Sequence, residues 1–281
     1  MTNIKYDKLH FGTAGIPLST PETGTIAGIS HVANLGLSGM ELEFVHSVNI
    51  KEEKTKAVFE VAKKNNIELT CHGQYYINLS SLENDKIDAS INRVLNAAKI
   101  ANLCGAKSCV FHAGFYMKRS PKEVYPIILK GMKQIIKQLK EQGNPIYVRP
   151  ETTGKGTQWG ELDEIIKLSQ ELEQVLPCID FSHIHARTNG KWNTIDEFRD
   201  IFGRVENGLG KEALQKMHCH ISGIAYGEKG ERHHLILENS DFNYKDLLKV
   251  FKEFKAKGIV ICESPNIEQD ALLLKKYYDK L

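Results

Sequence analysis

Eight short apolar runs of β character alternate with amphipathic helical stretches along this chain, with a repeat of roughly thirty residues. The runs are LHFGTAGI, GMELEF, IELTCHG, KSCVFHAG, IYVRPE, CIDFSH, MHCHIS and IVICES. Such a rhythm leaves few solutions, because parallel strands need a long crossover and a helix supplies it. The helices are clearest at SPKEVYPIILKGMKQIIKQLKEQG and NYKDLLKVFKEFKAKG, with a last one at IEQDALLLKKYYDK. Ser120 is placed as an N-cap with Pro121 just inside, and the two stretches are expected to end on Gly143 and Gly258. Eight strands with eight return helices predict an α/β fold, a (β/α)8 TIM barrel whose site forms at the C-terminal ends of the strands. An open doubly wound sheet would instead gather its chemistry at a switch point. No linker or low-complexity segment interrupts the 281 residues, so one domain over 1–281 is expected.

The residues that end these runs set the chemistry. His72 closes the third run and His112 the fourth, Glu151 follows the fifth, and Asp180 and His183 end the sixth. His220 ends the seventh and Glu263 the eighth, while Glu231 and His233 fall in the ERHH stretch between them. Strand alternation puts His218 on the same face as His220; the latter is nearer the rim and is preferred, with His218 deeper. Alternation also aims Glu231 and His233 one way if ERHH is extended. A lone histidine reads as an ordinary core or rim residue, and a lone Glu151 could pair with Arg149. Matching positions on successive strands turn the set into a polynuclear metal centre. A catalytic zinc takes about three protein ligands and leaves one position open, so nine residues serve three ions, especially if one carboxylate bridges. Mixed nitrogen and oxygen donors favour zinc, or manganese at one site, over magnesium.

Composition adds limits. The formal net charge of +2 is too mild to demand nucleic acid as a partner, although a local basic face fits within a balanced total. The start, MTNIKYDKLHF, lacks the apolar core of a signal peptide, and no run approaches a membrane span. The six cysteines form no CxxC pair and read as small buried hydrophobes in a reducing, cytoplasmic setting. Cys71 and Cys219 are the two whose neighbours bring them near the expected metals.

At these residues the chain resembles the endonuclease IV family of zinc-dependent apurinic/apyrimidinic endonucleases, over nearly its whole length. HGQYYINL and FHAG resemble the stretches around that family's first two zinc histidines, and PETTGKG its ENTAGxG-like segment. CIDFSH resembles its CIDTCH motif, HIS its HxN strand end and ERHH its DRHH pair. The resemblance implies a first zinc on His72, His112 and Glu151, with Glu151 bridging to a second on Asp180, His220 and Glu263. A third would be held by His183, Glu231 and His233. Tyr75 and Tyr76 fall where the family enters the minor groove of bent DNA, a use to which apolar wedges are suited. Ordinary rim packing or sugar binding is the other reading of that pair.

The chain also departs from the family. Glu231 stands for an aspartate, FGTAGIP lacks an early histidine, EFVHSVN supplies no DNA-contacting arginine in register, and LENSDFN replaces a GEGxIG-like turn. These changes fall in substrate-contacting loops.

What the resemblance implies is a monomeric hydrolase that cuts double-stranded DNA 5′ to an abasic site, leaving a 3′-hydroxyl and a 5′-deoxyribose phosphate. A zinc-held hydroxide would attack phosphorus, with Glu151 positioning or deprotonating it. The related sugar isomerases and epimerases share the barrel and a smaller set, Glu151, Asp180, His220 and Glu263. A non-catalytic module that recognises DNA lesions is a third reading.

Overall fold

The computed structural model describes residues 5–281; residues 1–4, at the start of the stretch read as lacking a leader, lie outside the described residues. All eight β-type runs form strands: β1 (Leu9–Ala14), β2 (Gly39–Glu43), β3 (Glu68–His72), β4 (Ser108–Phe111), β5 (Tyr147–Pro150), β6 (Ile179–Asp180), β7 (Met217–Ile221) and β8 (Gly258–Cys262). They make one parallel sheet in the order β5-β4-β3-β2-β1-β8-β7-β6. The ring is completed between β5 and the segment entering β6 by parallel bridges at Val148–Val175 and Glu151–Cys178. This is the (β/α)8 arrangement expected from the alternation.

Among the described residues ten helices wrap the outside: α1 (Thr25–Asn34), α2 (Glu52–Lys64), α3 (Asn84–Leu103), α4 (Pro121–Glu141), α5 (Leu162–Glu171), α6 (Phe181–Arg187), α7 (Ile195–Leu209), α8 (Lys211–Leu214), α9 (Tyr244–Glu253) and α10 (Glu268–Asp279). In α4 the buried residues Val124, Ile128, Met132, Ile135 and Leu139 recur at helical spacing and face the sheet. Its start follows the expected Ser120–Pro121 signal, with a capping box through Glu123. The end of α9 differs from expectation. The helix stops at Glu253, and Gly258, at φ +137°, opens β8 instead; a side chain there would collide with the Met217 backbone. No described helix is long and apolar enough to cross a membrane.

Two additions matter for the site. Between β7 and β8 a hairpin, Gly223–Gly227 with Gly230–Leu235, folds over the mouth. Its pairing slips: Ala225 faces His233 but Tyr226 faces Glu231, so Arg232 is an extra residue, a β-bulge. A second short ribbon pairs Gly114–Phe115 with Gln158–Trp159, tying the loops after β4 and β5 together.

The cap of α7 offers a test of local stability. Thr194 accepts from the Glu197 amide, and the Glu197 carboxylate accepts from the Asn193 and Thr194 amides at 2.9 and 3.0 Å. Those backbone donors, Asn193 first, lower the Glu197 pKa to about 2. Thr194→Ala is expected to cost about 1 kcal/mol, lowering the melting temperature by ~2 °C. The Glu197 contribution is present above the ordinary carboxylate range and is lost as pH falls toward 2, so Glu197→Gln and wild type should converge in melting temperature at acid pH.

Candidate metal centre

The C-terminal mouth of the barrel is built around one carboxylate. Glu151, one residue past β5, is 1% exposed, and four imidazoles surround it. Its Oε2 lies 3.2 Å from His72 Nε2 and 3.0 Å from His112 Nε2. Its Oε1 lies 3.0 Å from His220 Nδ1 and 3.4 Å from His183 Nδ1. One oxygen therefore faces each side, the geometry of a carboxylate that bridges two cations. Arg149, the cation proposed as a rival partner, is turned to the barrel floor, where it donates to the Pro177 and Lys216 carbonyls at 2.8 and 2.6 Å.

Three donor groups surround Glu151. His72, His112 and Glu151 offer ligand atoms within 4.8 Å of one another. So do Glu151, Asp180, His220 and Glu263, the last with Oε1 3.3 Å from His220 Nδ1. The third group is Asp180, His183 and His234, with Glu231 Oε2 3.6 Å from His183 Nε2. Asp180 caps α6 by accepting from the His183 amide at 2.7 Å, and this leaves its Oδ2 buried with no hydrogen-bond partner. A carboxylate oxygen orphaned among imidazoles is where a cation fits. The donors are nitrogen and oxygen, so the mouth suits zinc or manganese.

The electrostatics follow from burial. Desolvation alone would raise the Glu151 pKa, but His112 and then His220 outweigh it and hold the carboxylate well below its usual range. Burial opposes charge on His72, yet Glu151 lifts it to about 10. His183 and His220 are likewise raised against burial, His183 chiefly by Asp180. The protein without metal thus stores protons on the rings that would coordinate, and cations must displace them.

The sequence-predicted residues divide clearly. His72, His112, Glu151, Asp180, His183, His220, Glu231 and Glu263 come together at the mouth. His233 does not: the bulge at Arg232 breaks the alternation, leaving His233 exposed on the far face, and His234 takes the inward position. Tyr75 and Tyr76, 59% and 64% exposed, stand on the rim, and Tyr75 lines the cleft beside His72. His218 is fully buried one layer below; burial pushes its pKa down to about 4. Sequence reasoning passed over two acids of β2. Glu41 and Glu43 alternate with Met40 and Leu42 in GMELEF, and that charged–apolar period was the available signal. Burial, reinforced by Glu41, raises Glu43 to about 8.

A family model for the xylose isomerase-like TIM barrel matches residues 29–277. The chain belongs to that family. An uncharacterised protein of Methanocaldococcus jannaschii is 47% identical over 273 residues, covering 97% of this chain and 98% of its own. A probable endonuclease 4 of Mycoplasma genitalium is 26% identical, covering 74% and 72%. Endonuclease IV from Thermus thermophilus superposes with a TM-score of 0.75 at 15% identity, covering 98% and 100%. A D-tagatose 3-epimerase-like protein superposes with 0.73 at 17%, covering 96% of each. At such identities the two structures speak to the fold alone.

Backbone supports the third donor group. A Cβ on Gly154, in the loop after β5, would lie 2.5 Å from Glu231 Oε2 and 2.6 Å from its Cβ. His234→Ala is expected to weaken one of the bound cations by at least ~100-fold in a zinc titration, and Gly154→Ala to weaken the same one. His233→Ala should leave the titration unchanged; equal losses from His233→Ala and His234→Ala would contradict the bulged register.

Proposed function

We propose that the protein is a metal-dependent endonuclease that hydrolyses the phosphodiester 5′ to an abasic site in double-stranded DNA, leaving a 3′-hydroxyl and a 5′-deoxyribose phosphate. The observation that carries this reading is the third donor group, Asp180, His183 and His234 with Glu231 beside His183, next to the Glu151-bridged pair. A single leaving oxygen and a single attacking water both need charge stabilisation at phosphorus, and three adjoining donor groups suit that need. The likeness to endonuclease 4 proteins in sequence supports it.

When bound, divalent cations supply Lewis acidity toward a phosphoryl oxygen and an attacking water. The residues do the rest. Glu151, kept deprotonated by the histidines around it, orients a water and accepts its proton. The cleft between Glu43, His72, His112, Glu231 and Glu263 holds roughly 100 Å³, about three waters. A substrate must therefore lie across the rim and present one group inward. Tyr75 and Tyr76 offer aromatic faces there for a sugar or base beside the lesion. An abasic nucleotide is the cheapest to extrude, since no base is unstacked.

The second reading is a sugar isomerase or epimerase, favoured by the tight quartet Glu151, Asp180, His220 and Glu263. Zinc-loaded protein is expected to nick a duplex bearing one abasic site. Glu151→Gln should lower that rate ~10²–10⁴-fold, and His112→Ala should abolish it with circular dichroism unchanged. An intact duplex together with ketose–aldose or epimer interconversion would transfer the assignment to the sugar enzyme.

A further inference from the structure

A second cluster lies beneath the mouth, inside the barrel. Glu41 from β2, His218 and His220 from β7, and Cys178 at the entry to β6 are buried, each 1% exposed or less. Cys178, His218 and His220 offer ligand atoms within 4.8 Å of one another. Glu41 faces both rings, its Oε1 2.8 Å from His220 Nε2 and its Oε2 3.2 Å from His218 Nε2. Despite these distances neither pair makes a hydrogen bond. Both Glu41 oxygens, His218 Nε2 and His220 Nε2 are buried with no hydrogen-bond partner.

The other nitrogen of each ring is engaged elsewhere. His218 Nδ1 sits 2.8 Å from Ser108 Oγ, and His220 Nδ1 sits 3.0 Å from Glu151 Oε1, both with hydrogen-bond geometry. A carboxylate only accepts, so the His220 ring proton is placed on Nδ1. Both Nε2 atoms thus face the Glu41 carboxylate at close range without hydrogen-bond geometry. A cation between the groups would satisfy these buried donors and displace any ring proton there.

We propose that Glu41, Cys178, His218 and His220 bind one further divalent, borderline-soft cation, a site of two imidazoles, one thiolate and one carboxylate. The Cys178 thiol gives its proton to solvent on binding. His218 keeps its Nδ1 proton, turned to Ser108, which fixes Nε2 as donor. His220 serves the deep cation through Nε2, releasing any proton there to solvent; if its Nδ1 also coordinates a cation at the mouth, the ring loses its remaining N–H proton to solvent and bridges the two. The site does not rest on the hydrolytic reading, because none of Glu41, Cys178 or His218 belongs to the donor groups around the mouth.

Cobalt(II) distinguishes the two places, since the mouth has only nitrogen and oxygen donors while the deep site adds sulfur. Apo-protein loaded with Co²⁺ is expected to show a near-ultraviolet thiolate-to-cobalt charge-transfer band. Cys178→Ser should remove the band, and both Cys178→Ser and His218→Gln should bind one cation fewer per chain by elemental analysis, with circular dichroism confirming the fold. His112→Ala should lose cation at the mouth and keep the band. Wild-type protein without the band, His218→Gln with undiminished stoichiometry, or loss of the band in His112→Ala would each overturn the proposal. An abasic duplex left intact by protein that shows the band would sink the hydrolase reading alone.

Discussion

A carboxylate taken out of water persists as an anion only where donors or cations replace its hydration, and Glu151 is taken out almost completely. Four histidines from β3, the loop after β4, α6 and β7 supply the replacement, two at each oxygen. Three of those rings, His72, His183 and His220, are buried, and two are held by a further group: His183 by Asp180 and the Thr152 carbonyl, His72 by the Gly73 carbonyl. Removing Glu151 would leave four rings without their shared acid. The mouth therefore behaves as a single electrostatic unit. Its members stand at or just beyond the ends of six different strands, so closing the barrel brings the unit together.

The interior below continues this polar character where such barrels usually stack branched aliphatic side chains. Glu41, His218 and Ser108 occupy one layer, and Arg149 lies toward the floor with its guanidinium on the Pro177 and Lys216 carbonyls. Apolar packing is displaced to the outside of the sheet, where Phe181, Phe198, Phe202 and Phe251 meet in a nest of stacked and edge-on rings between α6, α7 and α9. Stability is thus drawn from the helix–sheet layer, which frees the axis to carry charge.

The barrel is legible in the sequence because each run ends within three residues of its strand, and because ligand types repeat at those ends. His72, His112, Glu151, Asp180, His183, His220 and Glu263 can be found this way, since a polar residue closing an apolar run has few other uses. Strict alternation through ERHH favours His233 over His234, but one extra residue at Arg232 reverses the facing of the strand beyond it. A bulge of this kind depends on a partner strand, Gly223–Gly227, and leaves no local mark. Glu41 is hidden for another reason: it sits within β2, where attention to strand ends does not reach, whereas Glu43 is the last residue of that strand. Cys178 looks like the five other buried thiols, and only the folded neighbourhood of His218 and Glu41 sets it apart.

The join between β5 and β6 is the thinnest part of the ring, held by bridges at Val148–Val175 and Glu151–Cys178 and by a few amides such as Cys178 donating to Pro150. Glu151 and Asp180 stand on opposite banks of that seam, directly above it. An ion shared by them would clasp the cylinder shut, and chelation would unlatch it there before anywhere else. Amide exchange along residues 174–180 would then report ion occupancy, because the staves on either side owe their contact to the rivet as much as to each other.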